Sequence, residues 1–301
     1  MSWDRVEKLI GSENLARLAS KRVGVVGLGS GGSFVALSLA MSGVGRFVLV
    51  DDDALEAANV VRHAADLRDV GKPKVEAVAD LIRQRNPKAE VETHQGRIEQ
   101  HMDALDDLDI LVVGVDGENA KYIINEACLE RNLIAVYAGV YERGEGGDVV
   151  IIYPYDGPCY SCWAAELRDE IARSAAPVGE LDYGMIGPEG TLEAEPGLWL
   201  HVVRVAGTQA DLTLNELLRG TSVHRTMPGN TVVLANTSME IIEGQPSLPY
   251  TAVWATIPRD PHCLVCGDAL GLSDEQESPL SLSDLIESSG IVMEQTEEDE
   301  R

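Results

Sequence analysis

Aromatic side chains make up only 5% of this 301-residue chain, with two phenylalanines among them. Its core must therefore be assembled from Val, Leu, Ile and Ala. Positive charge is scarce as well: 24 Lys and Arg face 50 Asp and Glu, a formal net charge of −26. Nucleic acid and anionic membrane surfaces both demand basic patches, so neither is an expected partner. No segment approaches the roughly 18 uninterrupted apolar residues of a membrane span. The first eleven residues carry Asp4, Arg5, Glu7 and Lys8 where a secretory signal would be apolar. The expectation is a cytoplasmic protein. Cysteine is rare too, with five in the chain, and four of these stand in two C-x-x-C pairs, Cys159/Cys162 and Cys263/Cys266.

Those pairs lie in turn-like sequence, Gly157-Pro158-Cys159-Tyr160-Ser161-Cys162 and Pro261-His262-Cys263-Leu264-Val265-Cys266-Gly267. Four thiolates form the soft, tetrahedral ligand set that Zn²⁺ prefers, and one ion would staple two distant segments. With four protein ligands such a site is structural, since no open position remains for chemistry. Redox dithiols or disulfides are the competing reading. The remaining thiol, Cys128, lies among Ile123, Ile124, Ala127 and Leu129 on an expected helix and reads as a small core residue.

Helical spacing over residues 3–19, broken at Gly11, is followed by an apolar run at 22–27 that reads as a buried parallel strand. Helices are expected at 33–42, 74–85 and 118–131, and strands at 46–50, 89–94, 109–114 and 133–138. This alternation predicts a doubly wound, mainly parallel Rossmann-like α/β sheet. Beyond residue 140 the pattern changes. Strands at 148–153, 231–235 and 251–257 with a helix at 198–218 predict an antiparallel extension carrying the four-cysteine zinc site. The division is a helical segment at 1–20, a Rossmann-like half at 21–145, a half at 146–270 stapled by the cysteine pairs, and an acidic tail at 271–301 that reads as disordered. Within the second half, 164–197 is polar and rich in Gly and Pro, which suits a mobile crossing segment.

Gly27-Leu-Gly29-Ser-Gly-Gly32 follows a strand and opens a helix, so backbone N–H groups can cradle phosphate. Asp51 ends the next strand, placed to accept hydrogen bonds from ribose hydroxyls. A nicotinamide dehydrogenase would fit this much. Arg62 and Lys74, close behind Asp51, supply more positive charge than a dinucleotide's diphosphate needs and suit a triphosphate. Lys72 reads as a solvated surface cation. Asp116, at the carboxyl edge of the sheet and facing a triphosphate, implies Mg²⁺; it could instead, or in addition, cap the following helix.

Taken in order, the glycine turn, Asp51 with Asn59 and Arg62, the Gly71-Lys-Pro-Lys74 signature, Asp116 and both cysteine knuckles resemble the ThiF/MoeB family, relatives of ubiquitin-activating enzymes. The resemblance runs over about residues 3–267. It implies ATP·Mg-dependent adenylation of a C-terminal carboxylate, usually the Gly-Gly end of a ubiquitin-like β-grasp carrier protein, by a homodimer. Carried across, Gly27, Gly29 and Gly32 would line the nucleotide, Asp51 would hold the ribose, Asn59, Arg62 and Lys74 the phosphates, and Asp116 Mg²⁺. Arg5 falls where the family delivers an arginine across the dimer interface. The sequence departs from the pattern at Val60-Val61-Arg62-His63, where more polar residues are usual, which argues against His63 as a ligand. Gly117 stands where the family has asparagine, and Asn119 is the residue that could substitute. Residues 163–262 contain no cysteine, so the acyl-adenylate is expected to pass to an external acceptor. Other readings are the same chemistry on a peptide, small-molecule or tRNA-linked carboxylate, a non-catalytic scaffold binding a ubiquitin-like partner, and an NAD-dependent oxidoreductase.

Overall fold

The computed structural model describes residues 2–166, 197–242 and 245–268. Its centre is an eight-stranded sheet in the order β10-β7-β6-β5-β4-β1-β2-β3. Five strands are mutually parallel: β1 (Arg22–Val26), β2 (Arg46–Asp51), β3 (Glu90–Gln95), β4 (Ile110–Val113) and β5 (Ala135–Val140). Antiparallel pairing then adds β6 (Gly146–Ile152), β7 (Thr231–Ala235) and β10 (Ala252–Ala255). A separate two-stranded ribbon joins β8 (Met239–Ile242) to β9 (Gln245–Ser247). The expected parallel sheet with an antiparallel extension is therefore present.

Sequence explains the sheet's depth in the molecule. Val23 and Val25 of β1 enter one core cluster while Val26 enters the other. Both faces are covered, so these strands read as unbroken apolar runs instead of alternating ones. The first face carries α3 (Ser30–Met41), α4 (Lys74–Arg85) and α6 (Trp199–Leu217). The second carries α5 (Glu118–Glu130), with Tyr160 and Trp163 filling the core beside it. Two short helices, α1 (Asp4–Ile10) and α2 (Ser12–Ser20), break at Gly11, whose φ of +86° suits glycine.

Helix α3 starts at Ser30, three residues before the expected position. The expectation stopped short because two glycines lie in its first turn. Both are tolerated there because α6 and the glycine turn itself pack against them. The β10 strand is shorter than expected at both ends. The polar segment at 164–197 and the acidic tail fall almost entirely outside the described residues.

Candidate functional site

Strand β1 leads into the glycine turn at the point where chain order reverses from β1 to β4, the crevice in which open α/β sheets bind ligands. Each glycine there meets a different requirement. Gly27 has φ +85°, and its N–H donates to the Val50 carbonyl at 2.9 Å. A Cβ on Gly27 would stand 2.6 Å from the Gly114 carbonyl carbon, and one on Gly32 would overlap the Gly27 carbonyl oxygen. A Cβ on Gly29 would meet nothing. Gly29 is also the cap residue of α3, with no side-chain bond to the amides of that helix start. An anion can approach the backbone there.

Asp51 closes β2 beside this turn. Its carboxylate accepts from the Leu28 N–H at 2.6 Å and the Asp53 N–H at 2.9 Å. Burial, only partly offset by those two amides, holds the carboxyl above its ordinary range. Behind it a short 3₁₀ helix, Ala57–Arg62, is closed by a reciprocal cap between Glu56 and Asn59. The Asn59 amide oxygen accepts from the Glu56 N–H at 3.0 Å, which leaves Nδ2 as its group for a phosphate. Arg62 ends this helix and donates to the Ser30 hydroxyl at 3.1 Å, placing its guanidinium at the start of α3.

His63 is buried and serves as a brace. Its Nδ1 accepts from the Ala65 N–H at 2.9 Å, so Nε2–H donates to the Leu28 carbonyl at 2.8 Å. Burial lowers its pKa, which favours this neutral tautomer. With both ring nitrogens engaged by backbone, His63 is no ligand; it latches the 3₁₀ segment onto the glycine turn.

Lys74 is the first residue of α4. It is 9% exposed, and its Nζ lies 2.6 Å from Asp53 Oδ2. The chain reaches it through Gly71, at φ +89°, whose N–H donates to the Leu55 carbonyl at 2.8 Å. Lys72 instead pairs on the surface with Asp69 at 2.8 Å and Asp80 at 3.5 Å, as expected of a solvated cation. Asp116 follows β4 by three residues and is exposed. Gly114 anchors that turn through an N–H bond to Val26 at 2.8 Å. The alternative role for Asp116 as a helix cap is not what the fold uses: the cap position of α5 is Gly117, without a side-chain bond.

The fold thus gathers Gly27, Gly29, Gly32, Asp51, Asn59, Arg62, Lys74 and Asp116 along one carboxyl edge of the sheet. Arg5 is not among them. It lies exposed on α1, which leads into α2, and α2 abuts the opposite end of β2 through a Gly45 N–H bond to Leu18 at 3.2 Å. Asp51 is the last of the six residues of β2, so about 17 Å of strand separates it from that end.

On the far side of β5, the four cysteines converge. Their sulfurs all lie within 4.8 Å of one another and are buried. Cys159–Cys263, Cys159–Cys162 and Cys162–Cys266 are each 3.7 Å apart. Tetrahedral thiolates at the usual Zn–S distance of about 2.3 Å require edges of about 3.8 Å between sulfurs, so the cage fits that ion. All four are free thiols, which sets aside the disulfide reading. The Cys159 N–H donates to Cys162 Sγ at 3.1 Å, and Arg259 closes the second knuckle by binding the Cys266 carbonyl and Asp268. Cys128 is buried on α5, and burial pushes its thiol up to about 12. It is inert at neutral pH.

Two supports went unread in the sequence. Gln209 on α6 is 2% exposed and donates to the carbonyls of Val113 and Val136 at 3.0 and 2.8 Å, tying the last residue of β4 to the second residue of β5. A glutamine in an otherwise apolar helical stripe was the available signal. Trp199 covers the start of α3 by donating to the Ser30 carbonyl at 3.3 Å, and nothing in its spacing announced that.

The ThiF family model matches residues 4–242 of the chain. The SAMP-activating enzyme E1 of Haloferax volcanii is 35% identical over 158 residues, covering 51% of this chain and 57% of that protein. Ubiquitin-like modifier-activating enzyme 5 of Drosophila ananassae is 34% identical over 160 residues, covering 48% of this chain and 40% of its own length. The chain thus spans about half the length of these curated relatives. Among solved structures, Escherichia coli MccB with ATP superposes with a TM-score of 0.62 at 20% identity, over 84% of this chain and 69% of that one. MccB in complex with N-formylated MccA gives 0.64 at 20%, over 84% and 70%. Likeness at that identity is likeness of fold.

Proposed function

This chain belongs to the ThiF family, and from that premise we propose that it is an ATP·Mg-dependent adenylyltransferase. Its substrate on this reading is the C-terminal carboxylate of a ubiquitin-like β-grasp protein ending in Gly-Gly. The observation that carries the reading is the charge placed around one helix start. Arg62 is seated on Ser30 at the open side of the glycine turn, and Lys74 is anchored on Asp53 beside Asp51. A redox dinucleotide needs the glycine turn and the ribose carboxylate; it does not need two further cations and an exposed aspartate.

The carrier's carboxylate is ionised at neutral pH, so no general base is required. One carboxylate oxygen attacks the α-phosphorus, the bond to the bridging oxygen breaks, and pyrophosphate leaves. The α3 amides and Asp51 fix the nucleoside and its phosphates. Arg62, through a forked guanidinium, and Lys74, as a point charge, neutralise the developing negative charge. Asn59 Nδ2 adds one donor. Asp116 would hold Mg²⁺, which supplies charge neutralisation on the triphosphate. Arg5 cannot reach the site of its own chain and would act on that of a second copy. With no cysteine between 163 and 262, the acyl group goes to an acceptor outside the chain, a sulfur donor, thiol or amine. The Cys159/Cys162/Cys263/Cys266 cage would hold Zn²⁺ as a cross-link. The names of the curated relatives, activating enzymes for SAMP and for a ubiquitin-like modifier, support the same substrate class.

The test is ATP–pyrophosphate exchange dependent on a Gly-Gly-ending β-grasp protein from the same organism. The wild-type chain is expected to support it, and Asp116→Ala to lose at least about a hundredfold, the scale of removing one transition-state charge contact. Near-normal exchange in that variant defeats the assigned metal role. Tight NAD⁺ binding in place of ATP would defeat the whole reading.

A further inference from the structure

Between two members of the cysteine cage stands Tyr160, and its surroundings exceed what a core aromatic needs. The residue is 3% exposed. Its ring stacks on Tyr137 at 4.5 Å and 22°, meets Tyr122 edge-on at 5.5 Å, and lies 5.3 Å from Trp163. Its backbone N–H donates to the Asn125 amide oxygen at 2.8 Å, and Asn125 is itself buried on α5. Its hydroxyl reaches Glu118 Oε2 at 3.2 Å. The other oxygen of Glu118 is held by Lys121 Nζ at 2.9 Å, and Lys121 is buried. Tyr160 thus grips α5 twice, in mid-helix and in its first turn.

That first turn begins two residues after Asp116. Among the described residues the Asp116 side chain makes no hydrogen bond, and the Gly117 carbonyl accepts from the Lys121 N–H at 3.3 Å. Gly117 caps the helix with no side-chain bond, and a Cβ there would touch nothing within 4 Å. The backbone that carries Asp116 is therefore held from two sides, by the Gly114 bond to β1 behind it and by the start of α5 ahead of it. Only the second of these connects to the cysteine cage.

We infer that Tyr160 is a positioning residue that transmits the order of the cysteine cage through Glu118 to Asp116, so that an intact cage sets the divalent-cation response of the nucleotide site. The inference rests on the assignment of Asp116 to Mg²⁺ above. It goes beyond that assignment by making the cage more than a staple. The ring stack supplies rigidity and the hydroxyl supplies direction, because a hydrogen bond to a carboxylate is short-ranged and angular.

Calorimetric titration of the full chain with ATP, with and without Mg²⁺, tests this, with bound zinc measured in parallel. Tyr160→Phe keeps the ring and removes the hydroxyl. It is expected to retain wild-type zinc content and wild-type affinity for metal-free ATP, while the gain in affinity on adding Mg²⁺ falls about tenfold, the factor for losing one charge-assisted hydrogen bond. Tyr122→Phe, which alters the abutting ring outside this path, is expected to leave the Mg²⁺ gain unchanged. The inference is overturned if Tyr160→Phe shows the full wild-type gain, or if Tyr122→Phe loses as much. It also fails if affinity for metal-free ATP falls equally, since that describes general loosening of the fold. Wild-type protein that binds ATP with no gain from Mg²⁺ overturns the parent assignment, and this inference with it.

Discussion

A single ring, His63, illustrates how a residue without chemistry of its own can define a site. It ties the segment carrying Arg62 to the glycine turn through Leu28 and works only when neutral. Because burial depresses its pKa, the unfolded chain takes up a proton first as pH falls below the ordinary histidine value of 6.5. The stability it supports is complete above that value and is lost as pH falls from there through the folded-state pKa. Asp51 opposes this further into acid. Its raised pKa means that the folded state takes up the proton first, so the cost of burying its charge is relieved as pH falls towards the ordinary value of 3.8. Urea midpoints at pH 7.5 and 5.5 should show His63→Gln losing less stability on acidification than wild type. Equal losses would show that the acid sensitivity lies elsewhere. Lys74 presents the opposite case. Its partner Asp53 is 65% exposed on its side chain, so their ion pair adds little to stability.

At the scale of elements, the cysteine knuckles join segments that are 104 residues apart in sequence. One flanks β6 and the other follows β10, so the cage closes the antiparallel extension onto α5. With zinc in the cage, as proposed, a chelator that strips it is expected to lower the melting temperature by roughly 5–10 °C, the scale of a few kcal/mol in a chain of this size. Protein shown by elemental analysis to be metal-free, yet melting at the original temperature, would end the structural-zinc assignment. The elements themselves were largely legible. Helix α4 has the expected bounds, because Pro73 starts it and Asn86-Pro87 stops it. Strands β1, β2 and β4 were read from apolar runs that only a two-sided core explains. What sequence missed were side chains acting across elements, Gln209, Trp199 and Tyr160, whose hydrogen-bond partners lie 42 to 169 residues away.

For the molecule as a whole, the placement of Arg5 is decisive. It stands beyond the amino end of β2, while every other assigned residue of the nucleotide site lies at the carboxyl end. If it serves a site, that site belongs to a second copy. Mixing Arg5→Ala with Asp116→Ala, each inactive alone, should then restore exchange to about a quarter of wild type. Random pairing makes half the dimers mixed, and one site in each of those is intact. No recovery on mixing, or full activity of Arg5→Ala alone, removes the residue from the mechanism.

Sequence alone determined the residue types that chemistry requires and the elements that carry them. Glycines at a strand end, carboxylates after strands, thiols in pairs and apolar periodicity are local properties, written within a few residues of one another. Tertiary structure alone decided which of those residues meet, because burial, orientation and hydrogen bonding depend on chain segments far apart. It brought the sulfurs to metal-cage spacing, committed the Asn59 oxygen to a cap, turned His63 into a brace, and set Arg5 at the opposite end of the sheet from the glycine turn.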